Sequence, residues 1–536
     1  MVSTVRAAFV FAALAASAAQ ASGFYFGDNG AKALLQGGAF AAQADDVTAI
    51  QYNPAGLASM SGFHFLADVQ LLNHETSFIR QDNGFDPANL RLPPNAVTNK
   101  GGLFLLPFAG ASYGIPIGSR RLTVGLGVYG PPSVGRYQYE VPNYNRVLNS
   151  AGSSVYEFSP RKFAANRYQL INNDVIILYP TLALAFEVHR RFQFGVSVQY
   201  VYSSFTFRQS LYADAGLTRP TTMSGEDPAF DSEVRVDLHG RPGVTAIFGA
   251  MVKPHDRLSI GVSLRPQIPI RATGKCAERK LDADGQPLPC SGLTLKLGET
   301  ARAIGSEVTG SEADLALTLP LELRAGVHFQ AIANPHSELM PLTLGLNLDY
   351  VYQGWQSINE LVLTPKDVNL KVGSAAAKPV EEFHIPKHWH QSNSIRFGAA
   401  FDLLKYATLH AGFWYETGAA PDEQTGIDFL HFDRFFITGG VTAHVWNLDV
   451  VAGIAYTPKV TKNVIDSAVY AGRDDPTAPP MYVGAGVYES GGWIATVGVR
   501  GHFGGSPAAA AAPVEAPAVE TPAPAPADVP APAPAS

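Results

Sequence analysis

Long segments of this chain alternate between apolar and polar residues, and this pattern limits the possible folds more than any other feature. The segment LTLGLNLDYVYQ, residues 342–353, has Leu or Tyr at every even position and mostly small or polar residues between them. Residues 192–203 and 491–503 repeat the pattern. Because successive side chains of a strand point to opposite faces, each segment is predicted to be a strand with one apolar and one polar face.

The length of these segments favours a membrane-spanning barrel over a soluble β-sandwich. Each runs for about ten residues or more, whereas soluble strands have a mode of about 5–6 residues and a tilted transmembrane strand needs about 9–11. Tyr and Trp lie near the strand ends, where membrane interfaces favour them. The predicted strands are 63–78, 102–117, 121–131, 175–188, 192–207, 241–253, 256–271, 312–330, 341–355, 392–404, 407–416, 434–445, 447–458 and 491–503. They number fourteen, and an even number suits a closed antiparallel barrel made from one chain.

The connections between these strands alternate between short and long. Tight turns such as IPIGSRR and EVHRRF follow every second strand. The long connections are 132–174, 208–240, 272–311, 356–391 and 459–490. Bacterial outer-membrane barrels have short turns in the periplasm and longer loops outside the cell, so we expect the same orientation here.

The first 21 residues have the order of a secretory signal peptide. Arg6 precedes an apolar run from Ala7 to Ala16, and small residues follow it. That run is too short to cross about 30 Å of hydrocarbon, and no later segment has eighteen uninterrupted apolar residues. The sequence therefore predicts an exported protein without a transmembrane helix. Its net charge of −7 argues against nucleic acid as a partner.

A Gly- and Ala-rich segment separates the signal peptide from the first strand, and it carries a turn motif. Asp45 and Asp46 come first, and Asn53, Pro54 and Ala55 follow. An Asn side chain can close a turn before a proline whose φ is fixed. Adjacent carboxylates in a turn point apart, so we expect this pair to accept hydrogen bonds from backbone amides. We predict no catalytic residue here or elsewhere in the chain.

Fourteen strands preceded by a segment with ADD and then NPA resemble the FadL/TodX (OMPP1) family of outer-membrane transporters for long-chain fatty acids and aromatic hydrocarbons. The resemblance extends over nearly the whole mature chain, as far as a last strand that ends in Phe503. It implies that the N-terminal segment folds inside the barrel as a hatch. Side chains already fill the interior of an eight-strand barrel. A fourteen-strand barrel is wider, so it would leak unless it were plugged. A simple periplasmic leader is the alternative.

The family resemblance also implies a kink in the third strand, where the barrel wall opens sideways toward lipid. Here Gly130, Pro131 and Pro132 interrupt that strand. Proline cannot donate a hydrogen bond to the neighbouring strand, so the segment is a candidate lateral opening. The alternative is that the strand simply ends there.

Four residues are candidates for a ligand pocket. Phe205 and Phe207 have the parity of the lumen face near the end of the fifth strand. Arg208 follows them and Lys366 lies in a long connection, so either could bind a carboxylate.

Cys276 and Cys290 are the only cysteines, and both lie in one long connection. In an exported chain an even count favours a disulfide, which stabilises by about 3 kcal/mol for a loop of about 15 residues. His384, His388 and His390 have ligand-like spacing, but a loop cluster beside a Trp is more often a surface feature, so we assign no metal site. We expect no other cofactor.

The family resemblance implies a passive outer-membrane channel, and we expect it to work as a monomer. Its expected partners are hydrophobic small molecules and membrane lipid, with long-chain fatty acids as the expected substrate and aromatic hydrocarbons as the alternative. A lipase-like enzyme and a structural or adhesive barrel are alternatives of other classes. The predicted organisation is a signal peptide (1–21), a hatch (22–62), a barrel (63–503) and a Pro/Ala-rich, disordered periplasmic tail (504–536).

Overall fold

The computed structural model describes residues 25–81, 96–131, 136–139, 146–148, 154–156, 164–212, 231–282, 287–334, 342–404, 406–430, 432–469 and 482–504. The predicted signal peptide and all but the first residue of the predicted tail lie outside these ranges, and so does Pro132.

Fourteen antiparallel strands form a closed ring, as the sequence predicts. They are β1 Gly62–Arg80, β2 Phe104–Ile117, β3 Arg120–Tyr129, β4 Asn172–His189, β5 Phe192–Tyr212, β6 Gly243–His255, β7 Leu258–Arg265, β8 Glu322–Asn334, β9 Leu342–Gln353, β10 Ser392–Leu404, β11 Ala407–Glu416, β12 Arg434–Val445, β13 Leu448–Val464 and β14 Gly486–Phe503. Each strand pairs with the next one in this order. The ring closes because β14 pairs with β1, from Phe63 opposite Phe503 to Arg80 opposite Gly486.

Two of the segments predicted as single strands are each divided by a proline into one strand of the ring and one strand beyond it. The segment 256–271 leaves the ring at Pro266 and continues as Ile268–Gly274, and 312–330 contains Ala313–Leu319 before Pro320 and β8. Both prolines lie where the ring ends. Proline lacks the N–H group that the ladder requires, so it suits these breaks.

The alternation of side chains places polar residues inside the ring and apolar residues outside it. In β5, Phe194 and Tyr200 are exposed on the outer surface, whereas Ser197, Gln199 and Ser203 are buried. The apolar outer face is the surface that lipid would cover. The predicted faces of this strand are therefore confirmed.

The ring has a long-loop end and a short-turn end, and a β-sheet extends it beyond the long-loop end. The extension consists of Asp231–Gly240, Ile268–Gly274, Gly292–Lys296, Ala313–Leu319, Glu360–Pro365 and Phe383–Pro386. Smaller strands at the same end are Val97–Thr98, Arg136–Gln138, Arg146–Leu148, Ser154–Tyr156, Glu307–Thr309, Asn369–Lys371 and Lys378–Pro379. Inward-facing Val236, Leu295 and Leu315 give the extension an apolar core. The sequence pattern predicts loops for most of this region, so these strands are a difference from the prediction.

Six short helices and 3-10 turns occur in the described part of the chain, and three of them lie in the N-terminal segment. They are α1 Ala31–Leu35, α2 Ala49–Tyr52 and α3 Glu299–Ala303, with 3-10 turns at Pro54–Ser59, Trp355–Ser357 and Asp422–Gln424. Among the described residues, no helix is long and apolar enough to cross a membrane. Residues 25–60 are almost entirely buried, since the ring surrounds them.

Candidate functional site

Asn53 organises the turn in the N-terminal segment. Its side-chain oxygen accepts a hydrogen bond from the Ala55 amide (3.2 Å), and Pro54 begins the 3-10 turn that follows. Its side-chain nitrogen donates to the carbonyl oxygens of Ala41 (2.8 Å) and Ala250 (3.2 Å). Ala250 belongs to β6, so this one side chain closes the local turn and also ties the segment to the barrel wall.

Asp45 and Asp46 have different partners, as adjacent carboxylates in a turn should. Asp46 accepts a hydrogen bond from the Thr48 amide (2.9 Å), whereas Asp45 forms an ion pair with Lys32 (2.7 Å). The Asp45 side chain is 44% exposed, so desolvation raises its pKa less than the neighbouring Lys32 ammonium lowers it, and the pKa is about 2. The expected hydrogen bond from a backbone amide is therefore found at Asp46, whereas Asp45 binds the side chains of Lys32 and Gln43 instead.

Polar lumen-facing side chains from five wall strands bind the backbone of the N-terminal segment. The pairs, wall residue first, are Asp68 with Ala31 (3.0 Å), Ser197 with Ile50 (2.7 Å), Ser263 with Tyr52 (2.6 Å), Asp349 with Phe40 and Ala41 (2.7 Å each) and Thr438 with Leu35 (2.9 Å). These strands are spread around the ring. The polar positions of the alternating pattern therefore satisfy backbone groups of the segment that would otherwise be buried without partners.

Glycines bring the backbone of the segment and the wall into direct contact. Gly37 adopts φ 64°, a conformation that favours glycine, and a Cβ atom there would lie 2.5 Å from the Phe397 carbonyl oxygen. A Cβ atom on Gly412 of β11 would lie 2.1 Å from the Gly37 nitrogen. Larger side chains at either position would push the segment away from the wall.

The ladder beside β3 is interrupted at Gly130. Tyr129 is the last residue of β3 and pairs with Tyr179 of β4. On this side of β4 the ladder resumes at Asp174, which pairs with Arg136 in a separate short strand. Two separate strands, β3 and Arg136–Gln138, therefore pair with the same edge of β4 on either side of the break. Pro131 is buried at the break.

The N-terminal segment contacts this break directly. Asn29 donates a side-chain hydrogen bond to the Gly130 carbonyl oxygen (2.6 Å), a group that a continuous strand could engage in its ladder. The same side-chain nitrogen of Asn29 also donates a hydrogen bond to the side-chain oxygen of Gln51 (3.1 Å). The segment and the break in the wall are thus linked by one side chain.

The four candidate pocket residues occupy two places. Phe205 and Phe207 stack with their ring centroids 6.3 Å apart, and Phe205 is buried in the apolar core that continues into the extension. Arg208 forms an ion pair with Glu233 (2.6 Å) next to them. Lys366 pairs with Asp314 (2.6 Å) in the extension, and no contact between Lys366 and the other three is recorded in the described part of the chain.

Cys276 and Cys290 are joined by a disulfide with their Cα atoms 5.4 Å apart. They lie just after Ile268–Gly274 and just before Gly292–Lys296, respectively, so the bridge closes the connection between these two strands of the extension.

A charged cluster at the long-loop end of the lumen was not found by sequence reasoning. Four arginines from four wall strands face inward here with carboxylate partners. The ion pairs are Arg265 with Glu322 (3.6 Å), Arg324 with Glu322 (2.9 Å) and Asp28 (3.3 Å), Arg396 with Asp28, and Arg434 with Glu416 (2.5 Å). The sequence signal for this cluster is an isolated arginine on the polar face, near one end of each of these four strands.

An aromatic cluster adjoins these charges. Tyr25 packs edge-to-face on Trp355 (5.0 Å between ring centroids), Trp355 packs on Trp389 (5.7 Å), and Trp389 packs on Phe429 (5.7 Å). All four belong to the same apolar cluster as Phe205. Packed apolar side chains therefore extend without interruption from the extension to the arginines, and this packed cluster is here called the apolar path.

The short-turn end of the lumen carries several charged side chains. A cavity of ≈ 170 Å³ there is lined by Lys32, Asp46, His64, Arg500 and His502, together with the apolar side chains of Val47, Met60 and Phe65. Arg500 donates a hydrogen bond of 2.7 Å to Asp449. The lining at this end is therefore mixed, whereas the aromatic cluster lies at the opposite end.

Comparison with known proteins agrees with this architecture. The family described as "Outer membrane protein transport protein (OMPP1/FadL/TodX)" matches residues 12–503. A FadL homologue from Pseudomonas aeruginosa superimposes with a TM-score of 0.61 at 16% sequence identity, covering 90% of this chain and 100% of its own.

Two toluene transporters have the same fold at similarly low identity. TbuX from Ralstonia pickettii gives a TM-score of 0.53 at 15% identity, with 89% of this chain and 99% of its own covered. TodX from Pseudomonas putida gives 0.53 at 14% identity, with 90% and 99% covered. No match is found among curated protein sequences. The chain belongs to the OMPP1/FadL/TodX family of outer-membrane transport proteins.

Proposed function

We propose that the protein is a passive channel that carries long-chain fatty acids across the outer membrane. The observation that supports this proposal is the continuous apolar cluster from Phe205 to Tyr25, which ends at a group of inward-facing arginines. An acyl chain could lie along the apolar side chains while its carboxylate meets a guanidinium.

Aromatic hydrocarbons are the second candidate substrate. Two proteins with this fold, TbuX and TodX, are toluene transporters. The stacked rings of Phe205 and Phe207 and the cluster around Trp355 offer aromatic surfaces for such a molecule. A hydrocarbon would need no cation, so the arginines favour the fatty acid.

We propose that the ligand leaves sideways through the break at Gly130, while the N-terminal segment acts as a hatch. The hydrogen bonds of this segment to five wall strands support the plugging role. An opening in the wall would spare an apolar ligand the charged side chains of the short-turn end. It would deliver the ligand to lipid, where its transfer free energy is favourable.

Binding to the purified full-length protein tests the pocket. Replacing Phe205 by Ala should weaken the binding of radiolabelled oleate about tenfold, because the ligand loses contact with a buried aromatic ring. Tyr202→Ala is the matched control, since Tyr202 lies on the same strand but is exposed on the outer face. Equal affinities for wild type and Phe205→Ala would contradict a pocket at this place.

Cysteine labelling tests the proposed orientation, with the long-loop end outside the cell and both chain ends on the periplasmic side. After reduction, a membrane-impermeant maleimide should label Cys276 and Cys290 on intact cells, because the disulfide lies in the extension. Labelling that requires permeabilisation of the outer membrane would mean that the barrel has the opposite orientation.

A further inference from the structure

A group of cations lies on the outer surface of the extension, close to the lipid-facing surface of the ring. It consists of Arg241, Arg271 and Lys366 and is here called the cationic patch. The side chains of Arg241 and Lys366 are 53% and 42% exposed, and Arg271 is exposed as well. Arg271 alternates with Ile270 and Ala272, which are buried in the apolar core of the extension, so its side chain points outward.

Strand pairing places the two arginines of the patch at the level of an aromatic ring on the lipid-facing surface. His239 of the extension lies opposite Ser204 of β5. Two residues further along the chain, the Arg241 amide donates to the Arg271 carbonyl oxygen (2.7 Å). Two residues from Ser204 toward the short-turn end lies Tyr202, which is 43% exposed on the outer face of β5. Because tyrosines gather at the boundary between hydrocarbon and lipid head groups, both arginines lie at head-group depth.

An apolar surface begins beside the patch, on the side of the short turns. Val244 follows Arg241 by three residues and is 71% exposed on β6, and Leu264 is 37% exposed on β7. Tyr200 continues this surface along β5. A lipid could therefore lay its acyl chains on the ring while its head group meets the guanidinium groups.

The patch has an excess of positive charge. Asp314 is shared between Lys366 (2.6 Å) and Arg241 (3.5 Å). Arg271 forms no ion pair or side-chain hydrogen bond with the residues that the structure describes, and the small residue Ala316 lies opposite it in the sheet. Three cations and one carboxylate give a net charge of +2. A phosphomonoester, with a charge of about −1.5 to −2 at pH 7, matches this excess.

The excess is greatest at the two arginines, which are the part of the patch nearest the membrane. Farther along the extension, Lys275 is shared by Glu312 (2.8 Å) and Asp367 (3.5 Å). Asp237 pairs there with Arg235 (3.6 Å). A phosphate group is therefore attracted most strongly at the edge where the extension meets the lipid-facing surface.

We propose that the cationic patch binds the phosphate group of a lipid in the membrane leaflet at the long-loop end, with the acyl chains of that lipid along β5 to β7. Arg271 is free to bind the phosphate, and Arg241 can turn toward it because Lys366 still neutralises Asp314. Guanidinium groups suit this role, since each can donate two parallel hydrogen bonds to phosphate oxygens. The site goes beyond transport and does not depend on which substrate the channel carries.

Binding of diphosphoryl lipid A to the purified full-length protein in detergent tests the site, since this lipid carries two phosphomonoesters. Arg241→Gln/Arg271→Gln should weaken binding about tenfold or more, because two guanidinium–phosphate contacts are lost. Arg271→Gln alone should weaken it about threefold or more. The single variant removes no ion pair with the described residues, so the proposal stays testable if the double variant fails to fold.

Arg190→Gln/Arg257→Gln is the matched control. Both arginines are exposed in turns at the short-turn end, so this variant loses the same charge at the other end of the barrel. Its affinity for lipid A should stay within about twofold of the wild-type value. Inorganic phosphate in about tenfold excess should not displace the lipid, because phosphate lacks the acyl chains that contact the ring.

Equal affinities for lipid A in the wild type and in folded Arg241→Gln/Arg271→Gln protein would overturn the site. An equal loss of affinity in the control variant would also overturn it, because the attraction would then be to positive charge anywhere on the protein. Displacement of the lipid by inorganic phosphate would mean that the patch binds free anions and not a lipid. Oleate uptake by cells with the same variants should be unchanged, so failure of the lipid site leaves the proposed channel standing.

Discussion

Deletion of residues 22–58 should leave a folded barrel that leaks small polar solutes. The ring closes through the pairing of β1 with β14, from Phe63 to Arg80, and this seam does not involve the deleted residues. The lumen-facing side chains that now bind the segment would be hydrated instead. Because a fourteen-strand ring without a plug encloses an aqueous passage, we expect the permeability to a small hydrophilic antibiotic to rise about tenfold or more.

The measurement is antibiotic influx into cells that carry equal amounts of the two proteins in the outer membrane. Folding is checked by the shift in electrophoretic mobility on heating, which a closed barrel shows. Asn53→Ala is a graded control, since it removes the contacts with Ala55, Ala41 and Ala250 but keeps the segment. A heat-modifiable deletion variant with wild-type influx would show that the segment is not the plug.

Replacement of Pro131 and Pro132 by Val should close the break in the wall and slow delivery to the membrane. Valine has the N–H group that proline lacks. The segment after Tyr129 could therefore pair with the residues of β4 that precede Tyr179. Uptake of oleate should fall several-fold, because the ligand loses its main exit toward the membrane. Binding at the long-loop end should survive, because Phe205 and the arginines are unchanged.

Pro116→Val is the matched control for this variant. Pro116 lies in β2 opposite Arg121, at the short-turn end of the strand pair whose other end lies at the break. It exchanges proline for valine in the wall without altering the break. Normal oleate uptake by a folded Pro131→Val/Pro132→Val variant would mean that the ligand leaves by another route, through movement of the N-terminal segment.

The ring could be predicted from the sequence because its determinants are local. Alternation of apolar and polar residues identifies each strand and its faces, and the turns identify the strand order. The extension was missed for a related reason. Ile268–Gly274 and Ala313–Leu319 continue the alternation of β7 and β8, so only Pro266 and Pro320 mark where the ring ends.

The candidate site was predicted only where its contacts are close in sequence. The turn at Asn53 involves Ala55, two residues away, and the sequence motif indicates it. Arg324 and Arg396 are far apart along the chain, and they meet Asp28 only because the ring closes around the N-terminal segment. Strand parity gives the face of a residue but not its neighbour across the lumen.

Uptake of radiolabelled oleate and toluene by cells is the measurement that tests the central claim most directly. Cells producing the protein should accumulate one of the two faster than cells with an empty vector, and the Phe205→Ala variant should lose most of that gain. The arginines at the end of the apolar path predict that oleate is the preferred substrate. Equal uptake of both compounds with and without the protein, at normal levels in the outer membrane, would contradict a role in hydrophobic transport.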